Sequence, residues 1–400
     1  MSRILLAWEL GTGVGHLAAF RTVAEALLAR GHQLTLAARD TGSAAMVFSG
    51  LPVQIVQAPL CVKTYNGLAD PPLNFSEILM RFGYLDSAML KGLLLGWRSL
   101  LELTQADRLV ADHAPTALLA ARERGIARIT FGNPFSVPPA VSPTPNMRDW
   151  LTVPAQRLQG SDATVVAAIN AAMTQDAPPI AAVHEIFDGA DRLFVGIPAL
   201  DPYGARPSVH YLGLHSASSG TAAANWPEGD GPRLFAYLRT DYPHMDACLR
   251  ALSESAARSL VNLAGANPEI ISRYGSARLR LSTGHVDMAA AASRCDAALC
   301  HGGLGTVNAM LRAGKPLLLL PAQLEQYLLA CNVERLGAGL AVHPETAAPD
   351  FAGALHSILT DARFGKNAQA VAQRCSTPSV QQVIAHAVAR IEAGGPGSGA

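Results

Sequence analysis

The 400-residue chain lacks three features that would place it in common classes of protein. It has no excess charge, since 31 Lys and Arg residues balance 31 Asp and Glu residues. Proteins that bind nucleic acid or adhere to membranes through charge carry a basic surface, so we expect neither partner. No apolar run is long enough to span a bilayer, and we therefore expect no integral membrane segment.

The cysteines also lack a pattern. Six of them are scattered along the chain without the close spacing of metal ligands. We expect buried, reduced side chains, no bound metal and no cofactor. The first apolar run, residues 4–8, has the length of a strand and is soon interrupted by glycines, unlike the core of a secretory signal. The expected location is therefore cytoplasmic.

What the chain does contain is a repeated alternation of strand-like and helix-like patterns. Apolar runs of strand length fall at residues 4–8, 33–37, 53–57, 108–111 and 126–131, and again at 233–238, 259–263, 278–281, 297–300 and 317–320. Alternation of this kind implies parallel strands joined by crossover helices. The predicted fold class is α/β, with two Rossmann-like, doubly wound parallel-sheet domains that face each other across a cleft.

A change of composition marks the boundary between these domains. Over residues 216–231, Ser, Gly, Ala, Asn and Pro replace the periodic pattern, which predicts a linker. The first domain is then residues 1–215 and the second 232–378. A C-terminal helix over 379–393 is expected to return to the first domain, and the glycine-rich tail, 394–400, is expected to be disordered.

The most informative motif is His301-Gly-Gly-Leu-Gly-Thr306, between an apolar strand and a helix. A glycine-rich turn at a helix start leaves backbone N–H groups unpaired, and the helix dipole adds partial positive charge there. That geometry suits a phosphate, and the side chains of His301 and Thr306 can add hydrogen bonds. The motif predicts a diphosphate site formed by His301, Gly302, Gly303, Gly305 and Thr306.

A carboxylate and an amide follow the next strand. Glu325 and Gln326 come just after residues 317–320, at the sheet edge where open parallel sheets bind ligands. Alone, the pair is better explained by the preference of acidic residues for helix N-termini. Together with the phosphate turn, it predicts a site for the hydroxyl groups of a sugar.

These motifs resemble those of GT-B-fold glycosyltransferases, in the branch related to UDP-glucuronosyl- and macrolide glycosyltransferases. The matching residues are 301–306, Gly314-Lys-Pro316, Pro321 with the Glu325–Gln326 pair, and, near the amino terminus, Gly15-His16 with residues 24–32. The resemblance implies a GT-B fold, a UDP- or dTDP-linked sugar donor and a small-molecule acceptor. It also places a histidine of the acceptor side at His16.

The position of His16 argues against a competing interpretation, a dinucleotide-binding site. The preceding glycines, with Asp40 after the second strand, fit a dinucleotide-binding fingerprint, but its third glycine falls at His16, where a small residue is needed. Removing the proton of an acceptor hydroxyl requires a base, and a histidine suits that task. Asp112 ends another strand and is expected to orient His16, as the matching pair does in the related enzymes. The alternative is that Asp112 caps the helix that starts at Pro115.

The nucleotide side departs from the family pattern. Counted from His301, the family's ribose-binding Glu corresponds to Ala309, while its stacking Trp and companion Gln fall at His285 and Met288. The resemblance therefore implies a nucleobase site at His285, Val286 and Met288, with weaker stacking from an imidazole than from an indole. A nucleotide-sugar is still expected to bind, because the phosphate and sugar residues are kept.

The leading prediction is an inverting glycosyltransferase that uses His16 as general base and a small, lipophilic acceptor. Leucine-rich residues 73–103 and a proline-rich segment, 134–145, expected to be mobile, suggest an apolar acceptor cleft. Two alternatives stay open: an epimerase or hydrolase of the same fold, and a non-catalytic nucleotide-sugar-binding protein, suggested by Ala309. His113, His184 and His210 match no motif and are expected to be surface or structural residues. The sequence does not predict an oligomeric state.

Overall fold

The computed structural model describes residues 1–207, 209–214, 224–284, 286–343, 346–375 and 378–394. The chain divides into two compact units. The first comprises Met1–Val195, Ala205–Leu212 and the chain from Gln381 onward, and the second comprises Gly196–Gly204 and Gly213–Val380. Part of the predicted linker and most of the predicted tail lie outside the described residues.

The first unit is built on a parallel sheet. Its described strands are β1 (Arg3–Trp8), β2 (Gln33–Ala38), β3 (Gln54–Gln57), β4 (Arg108–Asp112), β5 (Ala127–Gly132), β6 (Asp191–Phe194) and β7 (His210–Tyr211). They lie in the order β3-β2-β1-β4-β5-β6-β7, and β1 pairs with β4 so that Trp8 is opposite Asp112. The strand order reverses between β1 and β4. Loops that leave the sheet on the two sides of such a reversal diverge and open a crevice for ligands.

Helices cover this sheet with their apolar faces. They are α1 (Gly15–Ala29), α2 (Thr41–Val47), α3 (Phe75–Leu79, continued by a π-helical turn, Met80–Tyr84), α4 (Ser87–Leu103), α5 (Pro115–Glu123) and α6 (Ala155–Ala172). The leucine-rich helix α4 buries Leu90, Leu94, Trp97 and Leu101 in the core of the unit. Their spacing directs these side chains into the core, as expected for a core-facing helix, so they give no support for an apolar acceptor cleft.

The proline-rich segment, residues 134–145, is packed rather than loose. It begins with a short 3₁₀ turn, Pro134–Ser136, and Phe135, Val137 and Thr144 are buried. The buried carboxylate of Asp162 accepts hydrogen bonds from the Thr144 backbone N–H at 2.8 Å and from its hydroxyl at 2.6 Å. These bonds fix the end of the segment to α6, which the proline content alone did not predict.

The second unit repeats the architecture. Its described strands are β8 (Arg233–Arg239), β9 (Arg258–Ala264), β10 (Leu279–Ser282), β11 (Ala297–Cys300), β12 (Leu317–Leu319) and β13 (Gly339–Ala341), in the parallel order β10-β9-β8-β11-β12-β13. The helices are α7 (Met245–Glu254), α8 (Pro268–Tyr274), α9 (Met288–Arg294), α10 (Leu304–Arg312), α11 (Leu324–Arg335), α12 (Phe351–Thr360) and α13 (Ala362–Arg374). Here the order reverses between β8 and β11, immediately before the glycine-rich motif.

The last helix, α14 (Val380–Ala393), packs on the first unit. Glu392 accepts hydrogen bonds from the guanidinium of Arg30 and lies 2.9 Å from a ring nitrogen of His32, and Arg390 pairs with the buried Asp191 at 2.7 Å. Arg108 donates to the carbonyl oxygens of the last turn. Over the part of the chain that the structure describes, no helix combines the length and apolar character needed to cross a membrane.

Candidate active site

The strand reversal of the first unit brings His16 and Asp112 together. His16 lies in the first turn of α1, just after β1, and Asp112 is the last residue of the neighbouring strand β4. The Nδ1 atom of His16 lies 2.8 Å from Oδ2 of Asp112. Because an ionised carboxylate only accepts hydrogen bonds, Nδ1 carries the proton and Nε2 carries the lone pair. The side chains are 10% and 2% exposed, so the pair is held largely out of water.

Neighbouring residues hold this pair in place. The Trp8 ring stacks on the His16 ring with the centroids 5.4 Å apart, and the Trp8 indole N–H donates to the Leu10 carbonyl at 2.8 Å. Gly132, at the end of β5, has a φ of +113°, and a Cβ there would lie 2.8 Å from all three atoms of the Asp112 carboxyl group. Only glycine therefore fits beside this carboxylate.

A buried glutamate takes the capping role that was the alternative for Asp112. Helix α5 has Ala114 at its N-cap, which offers no side-chain acceptor. Instead Glu9 accepts from the Thr116 backbone N–H at 3.0 Å and from its hydroxyl at 2.5 Å. Asp112 is thus left to His16. Burial raises the pKa of Glu9 to about 7, although the bonds from Thr116 oppose the shift.

His113 is neither at the surface nor satisfied by protein partners. The residue is 7% exposed, and its ring centroid lies 6.4 Å from that of His16 and 6.2 Å from those of Phe75 and Phe135. Its Nε2 atom is buried without a hydrogen-bond partner among the described residues. Burial, with smaller contributions from His16 and Arg39, lowers the pKa of His113 to about 3, so the ring is neutral at physiological pH.

Asp40 has a structural role in this unit. Its carboxylate caps α2 by accepting from the backbone N–H of Ser43 at 3.0 Å and from its hydroxyl at 2.6 Å, and these bonds lower the pKa of Asp40. The residue that would hold a ribose in a dinucleotide site is therefore accounted for as a helix cap.

In the second unit, the glycine-rich turn exposes backbone rather than side chains. The helix α10 begins at Leu304, and its first N–H to a preceding carbonyl runs from Val307 to Gly303. The N–H groups of Leu304, Gly305 and Thr306 lie ahead of that bond and belong to the open end of the helix. A Cβ at Gly303 or Gly305 would meet nothing within 4 Å. The space beside these two glycines is therefore open, and an anion that approaches the start of the helix needs such access.

The ring of His301 is engaged within the protein. Its Nδ1 lies 2.8 Å from the Leu320 carbonyl oxygen and its Nε2 accepts the Arg239 backbone N–H at 3.0 Å. The carbonyl requires a donor, so Nδ1 is protonated, and burial lowers the pKa of the neutral ring. The expected side-chain hydrogen bond from His301 to a phosphate was wrong for this arrangement, because both nitrogens are used. The imidazole instead ties together the ends of β8, β11 and β12.

The predicted sugar pair lies against the same turn. Gly302 has a φ of +82°, and a Cβ there would lie 3.0 Å from the Gln326 carbonyl oxygen. Glu325 and Gln326 occupy the first turn of α11, and the Gln326 side-chain oxygen accepts the Ala322 N–H at 2.9 Å. The structure therefore brings the predicted diphosphate and sugar residues together.

The structure describes two of the three predicted nucleobase residues. His285 lies outside the described residues. Val286 is 8% exposed and belongs to the apolar core of the second unit, with Met288 packed against it. The Val286 side chain therefore faces the core, and the nucleobase site at these residues stays a prediction. Ala309 is half-buried on α10.

The sequence motifs did not identify four residues of the first site. Trp8, Glu9, His113 and Gly132 all stand at or directly after the carboxyl ends of β1, β4 and β5. The signal that could have found them is this position, next to the predicted strand reversal, rather than any motif. Within the described residues, no group of three or more His, Cys, Asp or Glu side chains is arranged to hold a metal ion.

Comparisons with known proteins identify relatives of this chain among glycosyltransferases. Residues 272–390 match the C-terminal domain family of erythromycin biosynthesis protein CIII-like proteins. A stretch of 92 residues is 41% identical to the elloramycin glycosyltransferase of Streptomyces olivaceus and covers 23% of each chain. A stretch of 193 residues is 28% identical to a PGL/p-HBAD biosynthesis glycosyltransferase of Mycobacterium tuberculosis, covering 46% of this chain and 44% of the relative. The chain spans less than half the length of the curated relatives it matches.

The solved structure of the glycosyltransferase VinC, in complex with dTDP, superposes on the chain with a TM-score of 0.68 at 17% identity. The match covers 98% of this chain and 100% of VinC. The chain has the GT-B fold. The predicted fold class and the resemblance to the GT-B glycosyltransferases are therefore confirmed, and both candidate sites lie at the strand reversals of the two GT-B units.

Proposed function

We propose that the protein is an inverting glycosyltransferase, which moves a sugar from a nucleoside-diphosphate sugar to a hydroxyl group of a small acceptor. The observation that carries the proposal is the 2.8 Å hydrogen bond between Nδ1 of His16 and Asp112, which puts the proton on Nδ1 and makes Nε2 the basic nitrogen. The relatives named above are glycosyltransferases, and VinC was solved with dTDP, which favours a dTDP- or UDP-linked donor.

In this mechanism the acceptor hydroxyl loses its proton to Nε2 of His16 while its oxygen forms a bond to the anomeric carbon. The bond from that carbon to the diphosphate oxygen breaks, and the electron pair leaves with the diphosphate. Attack opposite the leaving group inverts the anomeric configuration. Asp112 keeps the proton on Nδ1 and stabilises the imidazolium that forms, as a carboxylate does for a general base.

The second unit holds the donor. The diphosphate accepts hydrogen bonds from the open N–H groups at the start of α10, and the positive end of that helix stabilises the charge that develops on the leaving group. Glu325 and Gln326, beside Gly302, bind the hydroxyl groups of the sugar. His301 contributes by fixing the turn rather than by contacting phosphate.

We propose a lipophilic acceptor because of the names of similar proteins, and not because of the leucines of α4. The leucines of α4 that suggested it are core residues, so they carry no argument. Support comes instead from a relative named sterol 3-beta-glucosyltransferase, from Eremothecium gossypii, which is 37% identical over 83 residues that cover 21% of this chain and 7% of the relative.

The alternative is a nucleotide-sugar epimerase or hydrolase, which would act without an acceptor. Pooled UDP- and dTDP-sugars, incubated with the protein and a panel of sterols and phenolic polyketides, test the proposal by mass spectrometry of the products. We expect a product one sugar residue heavier than an acceptor. Sugar release or epimerisation that is unchanged when the acceptors are left out would contradict transfer, and calorimetry that shows no donor binding would favour a non-catalytic protein.

A further inference from the structure

A second imidazole beside His16 is not used by the proposed chemistry. His113 follows Asp112 directly, and its Nε2 is buried without a hydrogen-bond partner among the described residues. A buried polar atom without a partner costs about 1–3 kcal/mol. A residue kept only for packing would avoid this cost if it were apolar.

The backbone of His113 is also unusual. Its φ of +49° lies in the left-handed region, which is uncommon for residues other than glycine. The conformation is held by a hydrogen bond from the Leu10 N–H to the His113 carbonyl oxygen, at 2.9 Å. Such conformations persist where the surrounding structure fixes them, and they are concentrated at ligand sites. The turn thus presents the His113 ring to the His16 side of the sheet edge.

The imidazole rings of His16 and His113 both lie close to Gly11. Gly11 has a φ of +83°, and a Cβ there would lie 2.7 Å from Nε2 of His16 and 3.3 Å from Nδ1 of His113. The atom of His16 that acts as base and a ring nitrogen of His113 therefore face the same small space. A glycine at position 11 keeps this space free of side-chain atoms.

We propose that His113 binds the acceptor, with its Nδ1 hydrogen-bonded to the oxygen that His16 deprotonates or to the polar group next to it. The proposal rests on the proposed function and names the residue that aligns the acceptor hydroxyl with the base. A neutral imidazole suits this role, because it offers a hydrogen bond without placing a second positive charge beside the imidazolium that His16 becomes.

Two substitutions test the role. His113→Phe keeps a flat ring among Phe75 and Phe135 but removes both nitrogens, whereas His113→Asn tolerates the left-handed backbone and keeps a polar group. We expect His113→Phe to raise the acceptor KM about tenfold, the loss of one hydrogen bond, with the donor KM unchanged. We expect His113→Asn to restore part of the acceptor affinity. Thermal unfolding of both variants reports whether the fold is intact.

The outcomes are distinct. If a folded His113→Phe variant has an unchanged acceptor KM and kcat, the ring only packs. If the same variant raises the donor KM and the acceptor KM equally, the substitution disturbs the protein in general. Either result contradicts the inference. Transfer by the wild-type protein decides the proposed function separately. If the wild type transfers no sugar, the proposed function fails and this inference fails with it. If the wild type transfers sugar and His113→Phe has the same acceptor KM and kcat, only the inference is overturned.

Discussion

The two units carry sites of opposite construction on the same sheet topology. In the first unit the site is made of side chains: His16, Asp112 and Trp8 are packed together, and glycine is required at Gly132 because a Cβ would strike the carboxylate. In the second unit the proposed diphosphate site is made of backbone, and a Cβ at Gly303 or Gly305 would meet nothing within 4 Å. The same residue type thus protects side-chain geometry in one unit and ligand access in the other.

This difference follows from the chemistry that each unit is proposed to perform. A base must be oriented through its own side chain and kept out of water, which demands close packing around it. A diphosphate needs several donors at once, and the start of a helix supplies them without ordering any long side chain. Substitutions in the first unit should therefore affect turnover, and those in the second should affect donor affinity.

The largest effect is expected from Asp112→Asn. The side chain keeps its shape, but an amide can donate to Nδ1 of His16 and move the ring proton to Nε2, which removes the base. We expect the rate of transfer to fall about 10²–10⁴-fold, measured by steady-state kinetics. Asp40→Asn is the matched control, because Asp40 also follows a strand of this sheet but caps α2. Equal rates of transfer for Asp112→Asn and Asp40→Asn would contradict the assignment of the catalytic base to the first unit.

A smaller effect, on stability, is expected from Glu9→Gln. Glu9 is protonated more readily in the folded protein, where its pKa is about 7, than in the unfolded chain, whose value is 4.5. The folded state therefore binds more protons between these values, and wild-type stability falls relative to Glu9→Gln as pH rises through this window. The full change is about 3 kcal/mol. Urea unfolding of both proteins at acid and at neutral pH measures it, and parallel pH dependences would rule out a titrating Glu9.

The smallest effect is expected from Gly305→Ala. Alanine is the better helix former by up to about 1 kcal/mol, and no neighbouring atom obstructs its methyl group, so the fold should be unharmed. The methyl group enters the space over the open N–H groups, and we expect dTDP binding to weaken about tenfold in calorimetry. Gly132→Ala is the counterpart in the first unit, expected to reduce transfer but not dTDP binding. The reverse pattern would show that the glycines have the same role in both units.

The features that could be predicted from the sequence are those determined by residues that lie close together along the chain. The long apolar strands and the motif from His301 to Thr306 are local, so the parallel sheets and the helix start beside the phosphate turn could be foreseen. The His16–Asp112 pair, 96 residues apart, was also predictable, because Asp112 ends β4 and His16 starts the helix that follows the neighbouring strand β1 in a doubly wound sheet.

The rest depends on contacts that no local pattern records. The strands β6, β7 and β13 have only two to four residues, and their pairing is set by the neighbouring strand rather than by periodicity. The cap that Glu9 provides for α5 joins residues 107 positions apart. The engagement of both His301 nitrogens likewise depends on carbonyl and N–H groups of two other strands.

The central claim is that His16 acts in turnover and not in donor binding, and His16→Ala tests it most directly. Donor affinity, measured by calorimetry on the same preparation used for product assays, should equal that of the wild type while transfer to the acceptor is lost. Intact transfer by His16→Ala, or loss of donor affinity in place of turnover, would contradict the account.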